Sequence, residues 1–101
     1  MIHVIATVQC RPGCREDFLK EFDQIVPEVL AEDGCLEYGP TVDLATDVDN
    51  QHCDEHRVTI IEKWESLDHL KAHLVAPHML VYRPKVADYV EGAQLRILEN
   101  G

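Results

Sequence analysis

The chain has 101 residues, with 9 lysines and arginines against 19 aspartates and glutamates, giving a formal charge of −10 at pH 7. That length holds one domain with one modest core, spanning residues 1–101, and leaves no room for a separate cofactor domain. The acidic balance repels phosphate backbones and anionic membranes at long range, so neither nucleic acid nor a membrane is expected as a partner.

No apolar run approaches the ~18 residues of a membrane span, and Met1 to Val8 carries no basic leader pattern, so a cytoplasmic location is expected. The five glycines are scattered singly, without a phosphate-cradling loop, which argues against a resident nucleotide. Four cysteines, Cys10, Cys14, Cys35 and Cys53, read as thiols in that compartment.

From Ile2 to Gln9, Ile2, Val4, Ala6 and Val8 alternate with His3, Ile5, Thr7 and Gln9, the period of a first strand. Arg11-Pro12-Gly13-Cys14 is turn chemistry. A helix follows from about Arg15 to Ala31, its stripe built by Phe18, Phe22, Ile25 and Val29; Pro27 lies inside it, and a kink is expected there. Glu32-Asp33-Gly34 ends that helix. A second strand is expected from Cys35 to about Leu44, with Gly39-Pro40 calling for a bulge or an edge position. The acidic, polar segment Ala45 to Glu55 reads as a long solvated loop.

The stretch from Arg57 to Met79 is the most informative part of the chain. Val58, Ile60, Glu62 and Trp64 share one face of a third strand. Ser66 then reads as an N-cap, with Asp68 in the first turn, and Leu67, Leu70 and Leu74 mark a helix that carries His73 at the edge of its apolar stripe. Pro77 interrupts this helix, and His78 opens a second helical segment in which Met79, Tyr82 and Val86 recur at helical spacing. Ala93, Leu95 and Ile97 form a final short strand.

The order β-α-β-β-α-β predicts an α+β, ferredoxin-like domain, an antiparallel sheet with both helices on one face. Ile5, Ile61 and Leu98 then fall on the uncovered face, for which a homodimer is the simplest cover.

Placed on that frame, the segments V-I-A-T-V-Q-C-R-P-G, A-E-D-G-C-L-E-Y and above all E-K-W-E-S-L-D-H-L-K-A-H-L-V-A-P-H-M resemble the antibiotic biosynthesis monooxygenase (ABM) family. The resemblance covers nearly the whole chain. It implies a dimeric α+β barrel, a pocket between helices and sheet, and oxygenation of small quinol-like or other electron-rich aromatics by dioxygen with no metal or organic cofactor. It carries the family's paired histidines onto His73 and His78, and its E-x-W pair onto Glu62 and Trp64. An asparagine often seen on the first strand of the oxygenase members is here Ala6. The same scaffold also carries isomerases of small enolisable hydroxyketones, and a non-catalytic small-molecule binding module is a third possibility; fold does not settle chemistry.

Six residues form the candidate site. His73 is the expected general base, since a neutral imidazole takes a proton from a phenol or enol near neutral pH; the alternative is a core histidine bonded to backbone. Trp64 offers an indole N–H and a stacking wall, and Tyr82 a hydroxyl donor for an oxyanion. Glu62, His78 and Arg83 are expected to bind substrate: Glu62 as a buried acid paired with one of the histidines, or else as an interface hydrogen-bonder; His78 beside the helix break, or else as a partner for the carbonyls freed there; and Arg83 near the pocket mouth, or else as an ordinary surface arginine. Spacings that suit metal ligands occur at His69/His73, Cys53/His56 and Cys10/Cys14. None completes a four-ligand signature, and no metal is expected.

Overall fold

The computed structural model describes residues 1–101. Strand β1 is Ile2–Cys10, helix α1 Arg15–Leu30, β2 Cys35–Thr41, β3 Arg57–Trp64, α2 Leu67–Leu74, α3 Pro77–Val86 and β4 Val90–Glu99, with a 3₁₀ turn at Ala87–Tyr89 before β4. The sheet order is β2-β3-β1-β4, and the three pairings are antiparallel. This is the expected ferredoxin-like arrangement, with the second helical region divided in two by Pro77, which sits at the first position of α3 where a missing N–H costs nothing.

Alternation along β1 and β3 decides which face is covered. Val4 pairs with Glu62, Ala6 with Ile60 and Val8 with Val58, and these share a core with Phe18, Phe22, Ile25 and Val29 of α1 and with Leu70, Met79, Tyr82 and Val86. On the opposite face Ile5 lies against Ile61 and His3 against Leu98, as the alternation requires, and no element of the chain covers them.

Helix α1 runs through Pro27 to Leu30, close to its expected end at Ala31, and the Pro27 carbonyl accepts from Ala31 N–H at 3.2 Å. Other local details depart from the sequence expectations. Strand β2 stops at Thr41 rather than Leu44, because Asp43 turns its carboxylate onto Arg57 and onto the Asp54 N–H at 2.9 Å. Its irregularity lies between Cys35 and Glu37, while Gly39 and Pro40 keep regular partners in Ile61 and Ile60. An edge strand tolerates that proline. The loop 42–56 is exposed along most of its length but pinned at its base, with Asp54 also accepting from Gln9 Nε2 at 3.2 Å. Strand β4 is longer than expected, and Leu95 and Ile97, which lie on the helix side of the sheet, remain about half exposed because the helices do not reach this edge.

Ser66 caps α2 as its sequence position predicts: it is extended, and its hydroxyl accepts from His69 N–H at 3.3 Å. Gly34 has φ +79°, and a side chain there would run into the His69 ring, so both conformation and space require glycine. The Gly34 carbonyl in turn accepts from Glu65 N–H at 2.9 Å, which ties the end of β3 to the turn after α1. That tie brings Glu32 beneath α2.

Candidate active site

Glu32 is the centre of the site. Its Oε2 lies 2.8 Å from His73 Nδ1 and 2.7 Å from His78 Nε2. A carboxylate only accepts, so both ring nitrogens donate to it, and in each neutral ring the lone pair is left on the other nitrogen. One carboxylate oxygen therefore sets the orientation and tautomer of both histidines. Sequence reasoning overlooks Glu32 because Glu-Asp-Gly reads as a helix terminator; the adjacency to two histidines is made only by folding.

His73 is buried, with 2% of its side chain exposed, whereas His78 is 22% exposed. The His73 ring is held by Trp64, whose centroid is 4.7 Å away, and by Tyr38 at 5.3 Å. Burial pushes the His73 pKa below its ordinary value, opposed by the Glu32 hydrogen bond, so the neutral ring is favoured. The expectation that His73 sits at the pocket edge is corrected: His78 occupies that place, and His73 stands behind it across Glu32.

A cleft of about 520 Å³ opens between α1 and α3, with His78 and Tyr82 in its wall together with Ile25, Pro77 and Val81. Glu21, Glu28 and Lys85 also line it. The Tyr82 ring packs edge-on against Phe22 at 6.0 Å. Burial raises the Tyr82 and Tyr38 pKa values, so both remain phenols that can donate at neutral pH.

Glu62 and Trp64 satisfy each other. Trp64 Nε1 donates to Glu62 Oε1 at 2.9 Å, so the indole N–H expected to meet a substrate oxygen is engaged inside the protein. Glu62 likewise pairs with Trp64 rather than with a histidine, since the β3 alternation puts the two side chains on one face two residues apart. Burial raises the Glu62 carboxyl to about 7, with Trp64 opposing and Glu32 adding to the shift. Arg83 does not stand free at the pocket mouth; its Nη2 donates to the Leu74 carbonyl at 2.6 Å and closes the end of α2. The structure thus joins His73 and His78 through Glu32, places Tyr82 beside His78, and sets Glu62 with Trp64 behind His73.

Of the metal-ligand spacings in the sequence, the His69/His73 pair is separated in role. His69 Nδ1 lies 2.7 Å from Ser66 Oγ and its Nε2 3.4 Å from Asp33, while His73 turns to Glu32. The cysteines are free thiols, and burial raises Cys10 and takes Cys35 to about 11. The donors that do converge are Glu32, His73 and His78.

The family model for antibiotic biosynthesis monooxygenases matches residues 1–85, which include every member of this site. The chain belongs to that family. It is 44% identical to the probable quinol monooxygenase YgiN of Escherichia coli K12, across 100% of this chain and 99% of that protein. The same fold appears in solved structures. PA3566 from Pseudomonas aeruginosa superposes with a TM-score of 0.83 at 25% identity, covering 98% of this chain and 92% of that one. Rv0793 from Mycobacterium tuberculosis gives 0.81 at 25% identity, covering 98% and 93%. No helix of the chain is long and apolar enough to cross a membrane.

Proposed function

We propose that this ABM-family chain is a cofactor-independent monooxygenase for small, neutral, quinol-like or other electron-rich aromatic substrates. The observation that carries this reading is the Glu32 carboxylate bonded to two imidazoles, one of them in the wall of a solvent-open cleft. The full-length similarity to a protein named as a probable quinol monooxygenase supports the substrate class.

In this scheme an aromatic hydroxyl enters between α1 and α3 and gives its proton to the histidine pair. His78 faces the substrate, while Glu32 and His73 hold its ring and stabilise the positive charge it acquires. The Tyr82 hydroxyl donates to the developing oxyanion. The resulting phenolate is a far better one-electron donor than the phenol and passes an electron to dioxygen, after which the two radicals combine into a carbon-bound peroxide. This peroxide takes back the proton held by the histidine, and loss of the hydrogen on that carbon then breaks the O–O bond, releasing the outer oxygen as water and leaving the inner one as the new carbonyl. Trp64 and Glu62 support the His73 ring from behind. The acidic wall formed by Glu21 and Glu28 favours a neutral substrate over an anion. Dimerisation through the uncovered sheet face, around Ile5 and Ile61, completes the proposal.

Oxygen-electrode measurements with a panel of quinols and anthrones test it. Uptake is expected from wild-type protein treated with a chelator, with at least a hundredfold loss in His78→Ala and His73→Ala. Absence of uptake across the panel, or undiminished uptake in both variants, would refute the reading.

A further inference from the structure

We propose that Glu32, His73 and His78 form a binding site for one divalent transition-metal ion, which takes the place of the two hydrogens the carboxylate now accepts. The three donors come from separate parts of the fold, the turn after α1, helix α2 and the first turn of α3, yet their ligating atoms lie within 4.8 Å of one another. Ligand bonds of roughly 2.0 to 2.2 Å put donors about a shared ion roughly 3 to 3.5 Å apart. The Glu32 contacts, at 2.8 and 2.7 Å, are slightly shorter than that, so a small withdrawal of the carboxylate opens the space an ion needs.

Donor chemistry and access select the class of ion. Two imidazoles and one carboxylate suit zinc, cobalt, nickel or ferrous iron, and suit magnesium and calcium poorly. His73 is already held between Trp64 and Tyr38, as a ligand ring must be. His78 lines the cleft, which provides an entry path and leaves room for water in the remaining coordination positions. Glu21 and Glu28 in the cleft wall, with the net charge of −10, draw cations toward it.

Metal binding also changes what the histidines can do. An ion on His73 Nδ1 and His78 Nε2 leaves each ring's hydrogen on the opposite nitrogen, which removes the lone pair available to a substrate proton. An occupied site therefore opposes proton abstraction. That consequence rests on the function proposed above, whereas the binding itself does not.

The experiment uses chelator-stripped protein titrated with Co²⁺, followed by visible absorption, and with Zn²⁺ by calorimetry. One ion per chain is expected, with affinity at least tenfold weaker in Glu32→Gln and His78→Gln and unchanged in His52→Ala, which alters an exposed histidine of the 42–56 loop. Long-range ¹H–¹⁵N spectra of the wild type provide a readout that needs no variant: zinc should move the His73 hydrogen from Nδ1 to Nε2. Absence of stoichiometric binding, equal affinity in Glu32→Gln and His78→Gln, loss in His52→Ala, or an unmoved His73 hydrogen at saturation would each overturn the proposal. Binding as expected in a protein that consumes no oxygen would strike the monooxygenase reading alone.

Discussion

The two faces of one sheet have been put to different uses by alternate residues of the same strands. On the helix side of β1 and β3, Val4, Val58 and Trp64 are wholly buried, and Glu62 is buried among them. On the other side Ile5 meets Ile61, which is 36% exposed, with His3, Thr7, Thr59 and Lys63 around them. The covered face can hold a carboxyl group away from water at a strongly shifted pKa. The open face can only be a surface or an interface. A single-residue slip in register would exchange these roles, so the Val4 to Glu62 pairing is as much a part of the site as the histidines.

The contrast can be broken most severely at Trp64. Trp64→Ala removes the largest fully buried side chain and strands Glu62 without its donor, and should cost on the order of 3 to 5 kcal/mol in denaturant unfolding. A loss below about 1 kcal/mol would show that the covered face does not depend on this ring.

Glu62 sharpens the contrast through pH. Its folded-state pKa of about 7 lies above the ordinary 4.5, so between these values the folded chain binds more protons than the unfolded one. Stability is then complete below about pH 4.5, falls as pH rises toward 7, and is flat above. The span amounts to about 3 kcal/mol at 1.36 kcal/mol per pKa unit. Glu62→Gln, which keeps an acceptor for Trp64, should abolish this slope and stabilise the protein at pH 8 but not at pH 4. Parallel slopes in variant and wild type would remove Glu62 as the cause.

Smaller effects are expected where the protein meets water. Arg57→Ala frees the loop 42–56 from its Asp43 anchor and should cost roughly 1 kcal/mol, less at high salt, as read by thermal unfolding. Asp43 is held below the usual carboxylate range chiefly by its Arg57 hydrogen bonds, so this contribution is present at neutral pH and fades on acidification through the lowered pKa. Ile61→Lys should change the stability of the single chain least, by about 0.5 kcal/mol or less, yet convert a dimer to monomers in light scattering if the open face is the interface. An assembly unaffected by that substitution would place the interface elsewhere.

Much of this arrangement is legible in the sequence, for identifiable reasons. The period-two runs of β1 and β3, the Phe18 to Val29 stripe, the Ser66 cap and the Pro77 break are local signals, and each element lies within a few residues of its expected bounds. What escapes is long-range. Glu32 reaches His73 and His78 across 41 and 46 residues, and no pattern in Glu-Asp-Gly announces it. The end of β2 is likewise set by Asp43 meeting Arg57 across the loop, which strand propensity cannot register. The partners of Trp64 and Arg83 are hidden for a related reason: a donor aimed at a substrate and a donor satisfied inside the fold have the same sequence.

The central claim, that a carboxylate-linked histidine pair activates an aromatic hydroxyl toward dioxygen, is tested most directly by isotope labelling. Chelator-treated protein and a quinol substrate that supports oxygen uptake would be incubated under ¹⁸O₂, and the product analysed by mass spectrometry. The account predicts one ¹⁸O atom incorporated per product molecule by the wild type, with product formation falling at least tenfold in Glu32→Gln. Unlabelled product, such as a simple isomer or a quinone formed without oxygen insertion, or undiminished labelling in Glu32→Gln, would contradict it.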